Sequence, residues 1–211
     1  LNLYEVDLQA IEGVIISSVV PPVLNSVRTA VMKLTGKKPL VVGPGMKTGL
    51  NIALDNPATM GSDLVVGAAA ALTIHDPPLI IIDMGTATTM TVIDREARVL
   101  GGAIIPGVGI SLEALANGTS QLPHISLDAP KKCISTDTVE AMRSGSVYGT
   151  AAMLDGMIER MEAELGEPAA VIATGGLGGC IIPYCRREIT YDKNLLLNGL
   201  WALYQKNKRK R

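Results

Sequence analysis

Two short segments carry the side chains best suited to chemistry. In Asp83-Met-Gly-Thr-Ala-Thr-Thr89 a carboxylate ends an apolar run and the backbone then turns through glycine. Phosphates and cations can be met at such a strand end. Gly85 permits close backbone approach, Thr86 and Thr88 offer hydroxyls and amides to phosphate oxygens, and Asp83 can hold a cation directly or through water. Twenty residues earlier, Gly61-Ser62-Asp63 opens an apolar helix with a carboxylate that could accept the proton of an attacking alcohol. Both segments also have plain structural readings. An Asp-x-Gly turn makes ordinary hairpins, and an aspartate in a first helical turn complements the helix dipole. Residue types alone leave both readings open.

Two glycine-rich stretches carry less. Gly45-Met-Lys-Thr48 ends like a P-loop, but Met46 separates the glycine from the lysine that must directly follow it. Gly175-Gly-Leu-Gly-Gly179 follows a strand, yet it misses the Gly-x-Gly-x-x-Gly spacing of a dinucleotide site.

The elements that must position these groups follow from hydrophobic periodicity. A β-branched run predicts a strand over 14–20, which Pro21-Pro22 turns into a helix whose apolar residues recur at helical spacing until Gly36. A second strand is expected over 39–42. The helix over 62–74 is apolar nearly all round, and such a helix is buried, between domains or subunits. Strands over 79–83, 89–93 and 99–105 form a meander, and Pro106-Gly107 hands over to a helix ending near Gly118. An extended stretch over 122–127, a long helix over 137–165 capped by Asp137, a buried strand over 169–173 and a helix over 194–207 complete the chain. A boundary near Asp76, at the Pro77-Pro78 pair, divides a first domain (1–75) from a second (76–211). The class is α/β.

Composition narrows the function classes. Of 211 residues, 47% are apolar, phenylalanine is absent and Trp201 is the single tryptophan, so Val, Ile, Leu, Ala and Met must build the core. The formal charge of −1 and the lack of interleaved aromatics argue against nucleic acid as a partner. The basic run over 206–211 reads as a solvated, frayed tail. Three cysteines without framework spacing and only two histidines fit neither a disulfide scaffold nor a zinc site and point to a reducing cytoplasm. No apolar stretch reaches the roughly 20 residues that span a bilayer. The acidic start, with Glu5, Asp7 and Glu12, lacks the basic region of a signal peptide. The expectation is a soluble, cytoplasmic protein.

The order and spacing of several motifs together resemble the type III pantothenate kinase family over nearly the whole chain. The first domain's share is Ile16-Ser-Ser-Val-Val-Pro-Pro22, Val42-Gly-Pro-Gly-Met-Lys-Thr-Gly-Leu-Asn-Ile52 and Asp55-Asn-Pro57. Asp83-Met-Gly-Thr-Ala-Thr-Thr89 resembles the family's second phosphate motif. Gly101-Gly-Ala-Ile-Ile-Pro-Gly107, Asp137-Thr-Val-Glu-Ala-Met-Arg-Ser-Gly145 and Ala173-Thr-Gly-Gly176 follow in the family's order. The resemblance implies two ribonuclease-H-like domains of the sugar kinase, chaperone ATPase and actin superfamily, clamping a nucleotide. It implies phosphoryl transfer from ATP with Mg2+ to the primary hydroxyl of pantothenate, the first step of coenzyme A biosynthesis. Asp63 would be the catalytic base, with Gly61, Ser62 and Leu64 beside it at the substrate. Asp83 would hold a monovalent cation, K+ or NH4+. Gly85, Thr86 and Thr88 would face the phosphates, and Thr174, Gly175 and Gly176 the nucleoside. Thr138 would reach pantothenate from the partner subunit of a homodimer with shared sites.

Three departures from the family pattern stand out. Nothing here corresponds to the family's opening Asp-x-Gly-Asn-Thr segment, and the chain starts at Leu1 and not Met. A longer gene product is therefore expected, with about forty residues ahead of Leu1 completing the first domain. The chain as it stands is expected to be inactive by itself. Gly61-Ser62-Asp63-Leu64 stands where the family usually shows Gly-Ala-Asp-Arg, and Leu54 aligns with a family tyrosine of the substrate pocket. Two further functions fit these departures: a non-catalytic regulator or scaffold of the same fold, and a kinase for another small alcohol.

Overall fold

The computed structural model describes residues 7–208. In chain order the elements are β1 (Ile15–Ile16), α1 (Pro21–Thr35), β2 (Leu40–Val41), β3 (Asn51–Ile52), α2 (Ser62–Ile74), β4 (Leu79–Met84), β5 (Ala87–Ile93) and β6 (Arg98–Pro106). Then come α3 (Val108–Gly118), α4 (Thr138–Leu165), β7 (Ala170–Thr174), α5 (Gly178–Ile181), β8 (Thr190–Tyr191) and α6 (Leu195–Asn207). They divide into two units. One comprises Leu1–Ile74 with Leu195–Arg211, the other His75–Asn194.

In the first unit β1 and β2 pair in parallel, with Ile15 opposite Leu40 and Ile16 opposite Val41. The strand expected over 14–20 is this short because Ser17 leaves the ladder: its Oγ donates to Ser62 Oγ at 2.9 Å. Val20 N then donates to Ser18 Oγ at 3.2 Å, and the prolines at the first helical positions start α1. α1 stops at Gly36, which adopts φ +66° and returns its N–H to Met32 O. α2 is buried from Val65 to Ala71, as its all-round apolar sequence predicts. It packs with Val42 and with Leu203 of α6. Gly199 marks the close approach of these two helices, because a Cβ there would overlap Val66 O. The closing helix, predicted within the second domain, thus packs in the first unit; its apolar face is what covers α2. Its last turn also ties down the loop before β3: Lys206 Nζ donates to Thr48 O at 2.8 Å, and Lys47 and Asn207 exchange two bonds of 2.9 Å. The rest of the predicted basic tail, 209–211, lies outside the described residues, as do positions 1–6 of the acidic start.

The second unit is an α/β layer on a mixed sheet, in the order β6-β5-β4-β7-β8 within the unit. β4, β5 and β6 form the expected antiparallel meander, while β7 adds parallel to β4 and β8 parallel to β7. That is a ribonuclease-H-like sheet. Alternate residues Ile80, Ile82 and Met84 of β4 pack on the same core as Leu112 of α3 and Met142, Val147, Leu154 and Ile158 of α4. Asp137 caps α4 by accepting Glu140 N at 3.0 Å, and Gly166 closes it at φ +77°. Leu122, Ile125 and Leu127 run outside any ladder and lay their side chains on this core.

Candidate active site

From β4 the chain moves one way across the sheet to β5 and β6, while β7 lies on β4's other side. The carboxyl ends of β4 and β7 therefore flank the point where strand order reverses, the place where open α/β sheets take ligands. The register sets Asp83 directly opposite Thr174, with Thr89 on its other flank and Met84 opposite Thr88. Beyond these residues each strand enters a glycine turn.

The first turn is closed by Gly85 N donating to Ala87 O at 3.1 Å. Gly85 and Thr86 are exposed, and the Asp83 carboxylate lies along the turn, with Oδ1 3.9 Å from the position of a Cβ on Gly85. Gly107, just before α3, packs beneath it: Gly107 N donates to Thr86 O at 3.2 Å, and a Cβ on Gly107 would overlap the Gly85 and Thr86 carbonyls. The amino end of α3, which has no side-chain cap, is thereby fixed against the turn. Its amides and dipole favour an anion there. Gly107, the last residue of the Gly101–Gly107 motif, positions this turn, a role that the sequence reading did not assign to it.

The second turn begins at Gly175, at φ +96°, where a Cβ would sit 2.6 Å from the Met84 backbone. Only glycine serves here, for conformation and for space. Gly176 is exposed, whereas Thr174 and Thr88 are buried on their strands. The structure thus brings Asp83, Gly85, Thr86, Thr174, Gly175 and Gly176 to one sheet end. Thr138, also in this unit, is the exposed first residue of α4.

Asp63 belongs to the other unit, in the first turn of α2 and half-buried. Its Oδ1 accepts Leu64 N at 2.9 Å, and the carboxylate folds over Gly61, where a Cβ would overlap that oxygen. Ser62 is held by Ser17, so the base of this turn is anchored to the chain leaving β1. Leu54 is half-buried, just ahead of a short 3-10 turn, Pro57–Thr59, that Asn56 caps through Ala58 N at 3.2 Å.

A cavity of about 660 Å³ in the second unit lies at the opposite end of the meander, between the β5–β6 turn and the second half of α4. Its charged lining is largely paired: Arg98 Nη2 meets Asp94 at 2.7 Å, and Arg95 bonds Glu167. Burial pushes the Asp94 carboxyl up, but the side-chain and backbone bonds from Arg98 outweigh it and hold the group below the usual carboxylate range. Cys185, half-buried near Asp155, has its thiol pushed up to about 12, mainly by burial.

A model of the type III pantothenate kinase family matches residues 2–160. The chain belongs to the type III pantothenate kinase family. A type III pantothenate kinase of Exiguobacterium sibiricum is 45% identical over 204 residues, which is 97% of this chain and 80% of that protein. The type III pantothenate kinase of Halalkalibacterium halodurans is 42% identical over 94% of this chain and 78% of its own length. Among solved structures, a Baf family transcriptional activator from Campylobacter jejuni matches with a TM-score of 0.64 at 21% identity, covering 98% of this chain and 87% of that one. That likeness concerns the fold. Among the described residues, no helix is long and apolar enough to cross a membrane, and Cys133, Cys180 and Cys185 are unpaired.

Proposed function

We infer that the full-length protein to which this chain belongs transfers the γ-phosphoryl group of ATP to the primary hydroxyl of pantothenate, the first step of coenzyme A biosynthesis. The observation that carries this reading is the 45% identity to a type III pantothenate kinase across 97% of the chain. In the reaction the hydroxyl proton passes to Asp63, the alcohol oxygen bonds to phosphorus in line, and the bond to the β-phosphate oxygen breaks to release ADP. Gly85 and Thr86, with Thr88 behind them, take the phosphate oxygens through amides and hydroxyl, where fixed donors count most. Thr174, Gly175 and Gly176 border the nucleoside. Magnesium, when bound with the triphosphate, supplies charge neutralisation on its oxygens.

Asp83 is proposed as the monovalent-cation ligand, with K+ or NH4+ as the ion. Its carboxylate lies beside the exposed Gly85 turn, with Oδ1 3.9 Å from the position of a Cβ on Gly85, and carboxylate oxygen is a donor suited to a hard cation. Rates that are equal in potassium and in a large organic cation at matched ionic strength would remove this role.

Thr138 is proposed to reach pantothenate from a second copy in a C2 homodimer, a reading supported by its exposure at the start of α4. A fully active monomer in light scattering would refute it. The unpaired cysteines support work in a reducing cytoplasm.

The test is ADP release by the full-length protein with ATP, magnesium and either pantothenate or a panel of other small alcohols. Pantothenate is expected to be preferred. Preference for another alcohol would assign the kinase that substrate instead, a reading that Leu64 favours because an isobutyl group cannot pair with a carboxylate. No turnover on any alcohol would leave the regulator.

A further inference from the structure

We propose that Tyr191 is a positioning residue for the nucleotide, fixing the shape of the turn from Gly175 to Gly179; this rests on the kinase reading above. Tyr191 ends β8, in register with Ala173, two residues before the turn begins on the neighbouring strand. Its hydroxyl donates to Gly175 O at 2.8 Å. Its ring lies against the other end of the same turn. A Cβ on Gly178 would sit 2.5 Å from Tyr191 Cε2, and one on Gly179 would sit 3.6 Å from Cε1. One side chain therefore grips both ends of the turn.

That grip matters because of what the turn is made of. Four of its five residues are glycine, the least restrained residue type, and the last two of them open the four-residue α5. Its internal backbone bond is Gly178 N to Gly175 O at 3.2 Å, so Gly175 O accepts both this amide and the phenol. Tyr191 remains 37% exposed and does not belong to the unit's buried core, and its ring lies against the glycines of the turn. A surface preorganised for a nucleoside binds it more tightly than one that must be ordered by it. The occupant is the base and sugar of a purine nucleotide beside Gly175 and Gly176; the alcohol substrate is not touched.

Three variants of the full-length protein test this, with ATP and pantothenate varied separately in steady-state kinetics. Tyr191→Phe keeps the ring and removes the hydroxyl. Tyr191→Ala removes both, and Gly178→Ala retains the tyrosine while displacing its ring. The expected result is a rise in KM for ATP of about two- to tenfold in Tyr191→Phe, the range that one hydrogen bond commands, and more in Tyr191→Ala. kcat and KM for pantothenate should stay within about twofold. Gly178→Ala should reproduce the defect, and titration calorimetry with magnesium ATP should rank the variants in the same order. An active wild type whose three variants keep its KM for ATP overturns the proposal alone. A fall in kcat without a change in KM for ATP marks a merely structural tyrosine and also overturns it. A wild type that neither binds ATP nor phosphorylates pantothenate overturns the kinase reading and this inference with it.

Discussion

The two units hold their candidate groups by different means. In residues 75–194 the turn after Asp83 is pinned by its own hairpin bond, by Gly107 beneath it and by Gly175 against Met84. These contacts are backbone on backbone, and at Gly107 and Gly175 they tolerate no added side chain. In the other unit Asp63 rides on the first turn of one buried helix, and that helix is secured by α6, from the far end of the chain. Rigidity at the sheet end comes from strand register, whereas placement of the carboxylate comes from helix packing.

Substitutions that break one unit at a time sharpen this contrast. The largest effect is expected at Gly102, where a Cβ would overlap Met90 O across the β5–β6 ladder. A strand backbone cannot give way locally, so Gly102→Ala should destabilise the protein by about 3 kcal/mol or more, read from chemical denaturation. A milder loss is expected from Gly199→Ala in the first unit. The overlap with Val66 O forces α2 and α6 apart, but alanine restores about 1 kcal/mol of helix propensity, so the net cost should be about 1–2 kcal/mol. If Gly199→Ala proved the more damaging, the assignment of rigidity would be reversed.

The smallest effect lies at the β5–β6 turn. Asp94 accepts Arg98 N at 2.8 Å and Arg98 Nε at 2.7 Å, and its carboxyl is held below the usual range. A depressed carboxyl stabilises the fold above its unfolded value near pH 4, and that contribution fades as pH falls through the folded value. Asp94→Asn should cost about 1 kcal/mol at pH 7, discounted for the half-exposed Arg98, and should flatten the loss of stability below about pH 4. Equal acid sensitivity in wild type and variant would place the acid-labile groups elsewhere.

Much of this was legible in the sequence, because local signals and tertiary structure agree where apolar runs are long. The meander, α2, α4 and the Asp83 turn fall where periodicity and glycine put them. The short pieces were hidden. β8 is two residues long and α5 four, both below the length at which a pattern can be read, so Tyr191 carried no signal. The partner of α6 was also hidden, since an amphipathic helix announces a face but not what covers it. Asp63 and Asp83 could be picked out by residue type only as alternatives to plain structural roles. The order of the surrounding motifs is what tipped that balance.

The central claim is that Asp63 takes the proton of the alcohol while the second unit binds the nucleotide. Its most direct test is turnover of full-length Asp63→Asn beside wild type, at saturating ATP and varied pantothenate, with ATP affinity and melting temperature measured on the same samples. The predicted result is a fall in turnover of about a hundredfold or more, with ATP affinity and melting temperature unchanged. Turnover within a few-fold of wild type would contradict it.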